Sequence, residues 1–298
     1  MAGLSRFDAS RALLLTGSPR SGTTWLGTLL ASARGYCQLT EPLHPGLPGR
    51  REAGVTLRTH VPPGQDWPAG RRLFLDCLEG RDLTPRIWID NPPGAVEAAE
   101  AVVFQAVRAN RLLPWIERHL PFQGLVYLVR HPCAVVSSQM LHPAFEAETT
   151  VPDHDRSYVE LVRPDLLPLL ETIRSEREIR ALRWSLDQHL PLTAGGGWLR
   201  VSYERFVLAG PGALHRLFGR LGLEPGPRTS ALFDRNSRSA GPWSAGDGAS
   251  PEERLGGWRR RLAPSEIDGI LRVVEACGVR GFGPEPVPEW PEASDSAW

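Results

Sequence analysis

Residues 12–30 read ALLLTGSPRSGTTWLGTLL, and no other stretch restricts the fold as tightly. Residues 12–15 form an apolar run short enough for a buried strand, and Gly17, Pro19 and Gly22 then turn the chain. Trp25, Leu26, Leu29 and Leu30 follow at helical spacing. A strand that breaks into a glycine loop and re-emerges as a helix points free backbone N–H groups, and the positive end of the helix dipole, into the loop. Ser18, Ser21, Thr23 and Thr24 add hydroxyl donors, and Arg20 adds a forked cation suited to phosphate or sulfate oxygens. The stretch therefore predicts an anion cradle at a strand end of an α/β fold.

Gly17 and Gly22 have the separation of a GxxxxGK[ST] phosphate loop, but Thr23 stands where the lysine would be. The 34 basic residues are all arginine, which also excludes Schiff-base chemistry. The loop carries its cation inside the turn, at Arg20. That suits an anion with less charge than a triphosphate, held without a metal. A second strand end repeats the theme: Gly124 precedes LVYLV, and Arg130-His131-Pro132 then opens a helix over 133–141. A triphosphatase often has a Mg²⁺-holding Asp after such a strand. Arg130 reverses the sign, so the expected ligand is an anion contacted directly. WLRVSY (198–203) reads as a third strand and ends on Tyr203 and Glu204.

GSPRSGTTW resembles the 5′-phosphosulfate-binding loop of sulfotransferases that use 3′-phosphoadenosine 5′-phosphosulfate (PAPS). Its PRSGTT wording is nearer the carbohydrate and tyrosylprotein branches than the cytosolic branch. The resemblance implies that Arg20, Ser21, Gly22, Thr23 and Thr24 bind the 5′-phosphosulfate. It assigns Arg130 and Ser138, with Ser137 adjacent, to the 3′-phosphate, and Trp25 and Tyr203 to the adenine. Arg238, with Arg235 and Ser237, is a candidate second clamp on the 3′-phosphate. The WRRRL segment (258–262) resembles the family's C-terminal region.

Transfer to a hydroxyl needs a proton acceptor, usually Glu or His, and cations to neutralise the leaving oxygen. Arg20 is placed for the second task. For the first, Glu41 leads, because TEPLH resembles the FEPLH-type segment of carbohydrate sulfotransferases. His60 is second, because RTHVP resembles the KTHLP of the cytosolic branch. Gln105 stands where the family often has lysine, and Arg108 is the nearby cation that compensates. His44 and His131 read as surface or structural residues.

The function implied is transfer of a sulfuryl group from PAPS to a hydroxyl, or an amine, of a small-molecule, carbohydrate or natural-product acceptor. Two other readings compete. An ATP-dependent small-molecule kinase with a degenerate P-loop would need Mg²⁺, and the missing lysine and Arg130 speak against it. A non-catalytic nucleotide-binding protein would keep the cradle without the base.

The rest of the chain sets the frame. Its 298 residues, 41% hydrophobic and 23% charged, have the composition of a soluble globular protein. Zero net charge favours neither nucleic acid nor membrane as a partner. The four cysteines are scattered without a CxxC pair, so no zinc site or disulfide framework is expected, and a cytoplasmic location is. No apolar run approaches the ~18 residues of a membrane span. Residues 1–283 are expected to form one P-loop-like three-layer α/β domain, a central parallel sheet flanked by helices. Helices are expected over 96–119, with Pro114 beginning a second short one, and over 179–190, 211–221 and 264–277. Residues 44–100 and 142–178 are long and irregular, and are expected to build the acceptor pocket. Trp67, Trp88, Phe145 and Tyr158 would line that pocket or sit in the core. The tail, 284–298, is Pro-rich and acidic.

Overall fold

A computed structural model describes residues 6–233 and 250–289. Arg235, Ser237 and Arg238 lie outside these residues, as do residues 290–298 of the tail.

Five parallel strands form the central sheet: β1 (Leu13–Gly17), β2 (Tyr36–Thr40), β3 (Ala101–Gln105), β4 (Gly124–Val129) and β5 (Leu199–Ser202), in the spatial order β2-β3-β1-β4-β5. The central strands are covered on both faces, so they read as continuous apolar runs rather than alternating ones. Alternate side chains nevertheless enter different cores. Leu13, Leu15, Val126 and Leu128 pack on one face with Leu26 and Leu30 of helix α1 (Thr23–Ala31). Leu14, Phe104, Tyr127 and Val129 pack on the other, larger core. The chain leaves β1 toward β2, whereas β4 leads on to β5 at the other side. The crevice beyond the carboxyl ends of β1 and β4 is therefore the topological switch point, where open α/β sheets bind ligands.

Two expectations need correction. Of the helix expected over 96–119, only the second short one, beginning at Pro114, is found at its expected place. Residues 101–105 form β3, fully buried between β1 and β2, and helix resumes only at α3 (Leu113–His119), with Pro114 in its first turn. A short apolar run buried on both faces shows neither period, and AVVFQ is β-rich enough for strand pairing to decide. WLRVSY is accordingly the fifth strand, at the edge of the sheet. Nor is 44–100 uniformly irregular. It contains α2 (Pro68–Leu78), which begins on a proline and buries Phe74, Cys77 and Leu78.

The other helices that matter to the site are α4 (Pro132–Leu141), α5 (Asp153–Val162), α6 (Glu176–Thr193), α7 (Tyr203–Leu208), α8 (Pro211–Leu221) and α9 (Pro264–Ala276). The start of α6 is fixed by a reciprocal cap between Ser175 and Glu178. Cys37, Cys77, Cys133 and Cys277 are all buried and unpaired. Among the described residues no helix is long and apolar enough to cross a membrane.

Candidate active site

The loop after β1 is wound more tightly than most side chains allow. Arg20 and Gly22 both have positive φ, 75° and 99°. A Cβ on Gly22 would lie 2.7 Å from the Tyr203 ring, so only glycine lets α7 approach so closely. Ser21 turns inward, its Oγ donating to the Ser18 carbonyl at 2.6 Å. Ser18 Oγ in turn accepts from Gln188 Nε2 of α6 at 2.9 Å. These two hydroxyls brace the loop and do not face the cleft. Gly22, Thr23, Thr24 and Trp25 do, at the open N-terminus of α1.

The end of β4 meets this loop directly. Arg130 donates from NH1 to the Arg20 carbonyl at 3.1 Å, and its guanidinium lies 4.4 Å from the centre of the Tyr203 ring. Its Nε is buried with no hydrogen-bond partner. Arg20 Nε donates to Ser138 Oγ of α4 at 3.1 Å, and Arg261 Nε to the neighbouring Ser137 Oγ at 2.9 Å. Burial lowers the pKa of Arg20, and Arg130 lowers it further. The Arg261 pKa is lowered by burial, then by Arg130 and Arg260. Like charges converge here. Trp25 stands edge-on to Tyr203 at 5.8 Å and completes an aromatic wall.

Arg20, Trp25, Arg130, Ser138, Tyr203 and Arg261 all open into one cleft of about 810 Å³. Its other half holds Glu41, which also has positive φ, 51°. Glu41 Oε1 accepts from Gln105 Nε2 at 2.8 Å and from the Val107 N–H at 3.0 Å, and Oε2 accepts from Arg108 at 2.7 Å. Gln105 also reaches Thr23 Oγ1 at 3.2 Å. One amide therefore ties the carboxylate to the first residue of α1.

Not every residue singled out in the sequence joins this cleft. His60 does not line it; its Nδ1 lies 3.2 Å from the Arg111 carbonyl, its ring meets Tyr158 edge-on, and burial lowers its pKa. His131 is wholly buried, stacked on Trp258 at 4.8 Å, and burial pulls its pKa down to about 4. Phe145 and His44 line the cleft, whereas Trp67, Trp88 and Tyr158 pack into the larger core.

A sequence model of the sulfotransferase family matches residues 12–226, from the first strand to beyond the fifth. This chain belongs to the sulfotransferase family. No curated protein matches it in sequence. Among solved structures it is similar to the sulfotransferase domain of the Synechococcus PCC 7002 olefin synthase. That match has 16% identity and a TM-score of 0.48 over 91% of this chain and 96% of the other. It is also similar to a mouse sulfotransferase complexed with PAP, at 15% identity and a TM-score of 0.45, over 92% of this chain and 86% of the other. A third likeness is to the sulfotransferase domain from the curacin biosynthetic pathway, at 17% identity and a TM-score of 0.41, over 78% of this chain and 81% of the other.

One wall of the cleft rests on a buried ionic network that the sequence did not reveal. Arg111 donates to Asp187 at 3.0 Å and to Asp155 at 2.7 Å. Arg183 bridges Asp155, at 2.8 Å, to Glu148, at 2.6 Å, and Arg58 lies 3.5 Å from Asp187. Burial opposes the charge on Asp155, but Arg111 and Arg183 outweigh it and hold its carboxyl well below the usual range. Arg58, Glu148, Arg183 and His154 reach the cleft wall. A partial signal existed: Arg180, Arg183 and Asp187 recur on one helical face of α6, charged where a buried face should be apolar. Their partners lie on distant segments, so spacing could not reveal them. Among the described residues, no group of three or more His, Cys, Asp or Glu is placed to hold a metal ion.

Proposed function

We propose that this sulfotransferase uses PAPS as donor and transfers to a hydroxyl, or an amine, of a small-molecule, carbohydrate or natural-product acceptor. The observation that carries the reading is that Arg20 and Arg130 meet across one cleft. The residues present fit an adenosine donor with an anion at each end. Arg130 keeps a buried Nε without a partner, and Trp25 and Tyr203 line the same cleft as Arg20, Arg130 and Arg261. When bound, PAPS supplies a sulfuryl group activated by a phosphate leaving group.

Arg20, Gly22, Thr23 and Thr24 hold the 5′ end, with the backbone of the α1 N-terminus, and Ser21 keeps the loop folded. Arg130, Ser138 and Arg261 hold the 3′-phosphate, and Trp25 and Tyr203 the base. Glu41 accepts the proton of the acceptor hydroxyl as its oxygen bonds to sulfur and the bond from sulfur to the bridging oxygen breaks. Arg20 neutralises the charge that collects on that leaving oxygen. Gln105, the Val107 N–H and Arg108 fix Glu41 in place and leave part of one carboxylate oxygen open. Glu41 takes this role over His60 because it alone of the two lines the cleft. The acceptor is enclosed by walls from 44–100 and 142–178, represented by Leu57, Arg86, Phe145 and Glu148.

Titration with adenosine 3′,5′-bisphosphate tests the donor. It should bind and raise the melting temperature without added metal, and ATP–Mg²⁺ should not. The reverse order of affinities would hand the cleft to a kinase. Glu41→Gln should lower PAPS-dependent transfer by about 10²–10⁴-fold while leaving bisphosphate affinity intact. Unchanged turnover in that variant would remove Glu41 from the mechanism.

A further inference from the structure

In the half of the cleft that holds Glu41, one cation has no partner among the described residues. Arg86 sits on the 3-10 turn Pro85–Trp88, whose Ile87 is fully buried. Just beyond it, Asp90 accepts from Thr40 Oγ1 at 2.7 Å, and Asn91 exchanges hydrogen bonds with the Gln38 backbone at 2.8 Å. The backbone beneath Arg86 is thus pinned to β2, while its exposed guanidinium opens on the cleft.

Two neighbours share its unanswered donors. Arg108 gives one NH to Glu41, but its Nε is buried without a hydrogen-bond partner. His44 Nδ1 accepts the Gly46 N–H at 3.0 Å, which leaves the ring proton on Nε2. Burial lowers the His44 pKa, and Arg108 and Arg86 lower it further, so the ring is a neutral donor at neutral pH. With Glu41 set against Arg108, the cluster retains one positive charge. That matches one anionic group beside the carboxylate that takes the acceptor's proton.

We infer that the acceptor carries a fixed negative charge (carboxylate, phosphate or sulfate) near the group it presents for transfer, and that Arg86, Arg108 and His44 form the subsite that holds it. This assignment rests on the sulfotransfer reading, because that reading makes this half of the cleft the acceptor's. Arg86 and the Nε donors of Arg108 and His44 then set the orientation of the acceptor, with its hydroxyl turned to Glu41.

The test uses the full chain saturated with adenosine 3′,5′-bisphosphate and titrated, at constant ionic strength, with inorganic sulfate, inorganic phosphate or acetate. One saturable anion site is expected, with the three anions ranking the preferred chemistry. Arg86→Gln should weaken it at least tenfold and Arg86→Lys only a few-fold, with bisphosphate affinity unchanged in both. The inference is overturned if the loaded protein binds no anion saturably, or if Arg86→Gln binds like the native chain. It is equally overturned if the site vanishes in Arg20→Gln but survives in Arg86→Gln, since the anion would then occupy the transfer point. Failure of the bisphosphate itself to bind would instead sink the donor reading. Arg86-dependent anion binding to the unloaded chain would in that case stand as an anion site alone.

Discussion

The half of the cleft proposed for the donor and the half proposed for the acceptor are both rich in arginine, but they hold it differently. In the donor half, Arg130 rests on a backbone carbonyl and an aromatic face, and Arg20 and Arg261 each donate to a serine hydroxyl of α4. Partners of this kind position a guanidinium by its N–H donors and its face rather than by an opposite charge. In the acceptor half, Arg108 faces Glu41, Arg183 faces Glu148 and Asp155, Arg180 faces Glu176, and Arg58 faces Asp187. Charge there is largely answered from within the protein, with Arg86 the exception among the described residues. The proposed donor half is suited to a polyanion, whose charge would meet these guanidinium groups directly. The proposed acceptor half is a polar wall whose charges answer one another except at Arg86, so its shape together with that one cation would select what enters.

Breaking the wall should have the largest effect. Arg111→Met would leave Asp155 and Asp187 buried without their main cation, at a cost of about 3–5 kcal/mol, read from urea denaturation. A loss under ~1 kcal/mol would mean that the network is incidental to the wall.

The next test asks whether acid acts on the donor half. His131 follows Arg130 and is held neutral by burial, its pKa falling to about 4 from an ordinary value near 6.5. Because the folded value is the lower one, its contribution is complete above pH ~6.5 and is lost as pH falls toward about 4, by up to ~3 kcal/mol. Glu204 runs the other way: burial raises its pKa to about 7, so its contribution fades as pH climbs to that value. Subtracting the melting curve of His131→Gln from that of the native chain between pH 8 and 4 isolates the histidine. A pH-independent difference would show that the imidazole is not titrating with folding.

A smaller effect separates binding from folding. Arg130→Gln should weaken adenosine 3′,5′-bisphosphate by about 10–30-fold, the worth of one charge-assisted contact, with little change in urea midpoint. A variant that unfolds instead would make Arg130 part of the scaffold, and the contrast between the halves would blur.

The same contrast governs what could be read in advance. β1, α1, β4 and the helix that follows Arg130 were legible because each is local: an apolar run, a turn with glycine or proline, then helical spacing within twenty residues or so. Glu41 was legible from its place after β2. Its bonds to Gln105 and Arg108 were not, because those residues are 64 and 67 positions away. His60 shows the opposite failure. Its RTHVP setting resembles a catalytic one, yet folding turns it toward Tyr158 and the Arg111 carbonyl. β3 escaped because a strand buried on both faces carries no alternation, and α2 because its buried stripe of Gly70, Phe74, Cys77 and Leu78 is short and set in a stretch rich in Pro, Gly and Arg.

By itself the sequence determined the strand-turn-helix of the anion loop, the arginine at the end of β4, and with them the family. Short-range sterics and hydrogen bonding make those units, and neighbouring residues are enough to specify them. Only the tertiary structure decided that Arg20 and Arg130 touch, that Glu41 hangs from the first turn of α1 through Gln105, and that Arg86 is left open beside it. Those outcomes depend on the order of strands in the sheet and on charges brought together from distant segments, which local spacing does not encode.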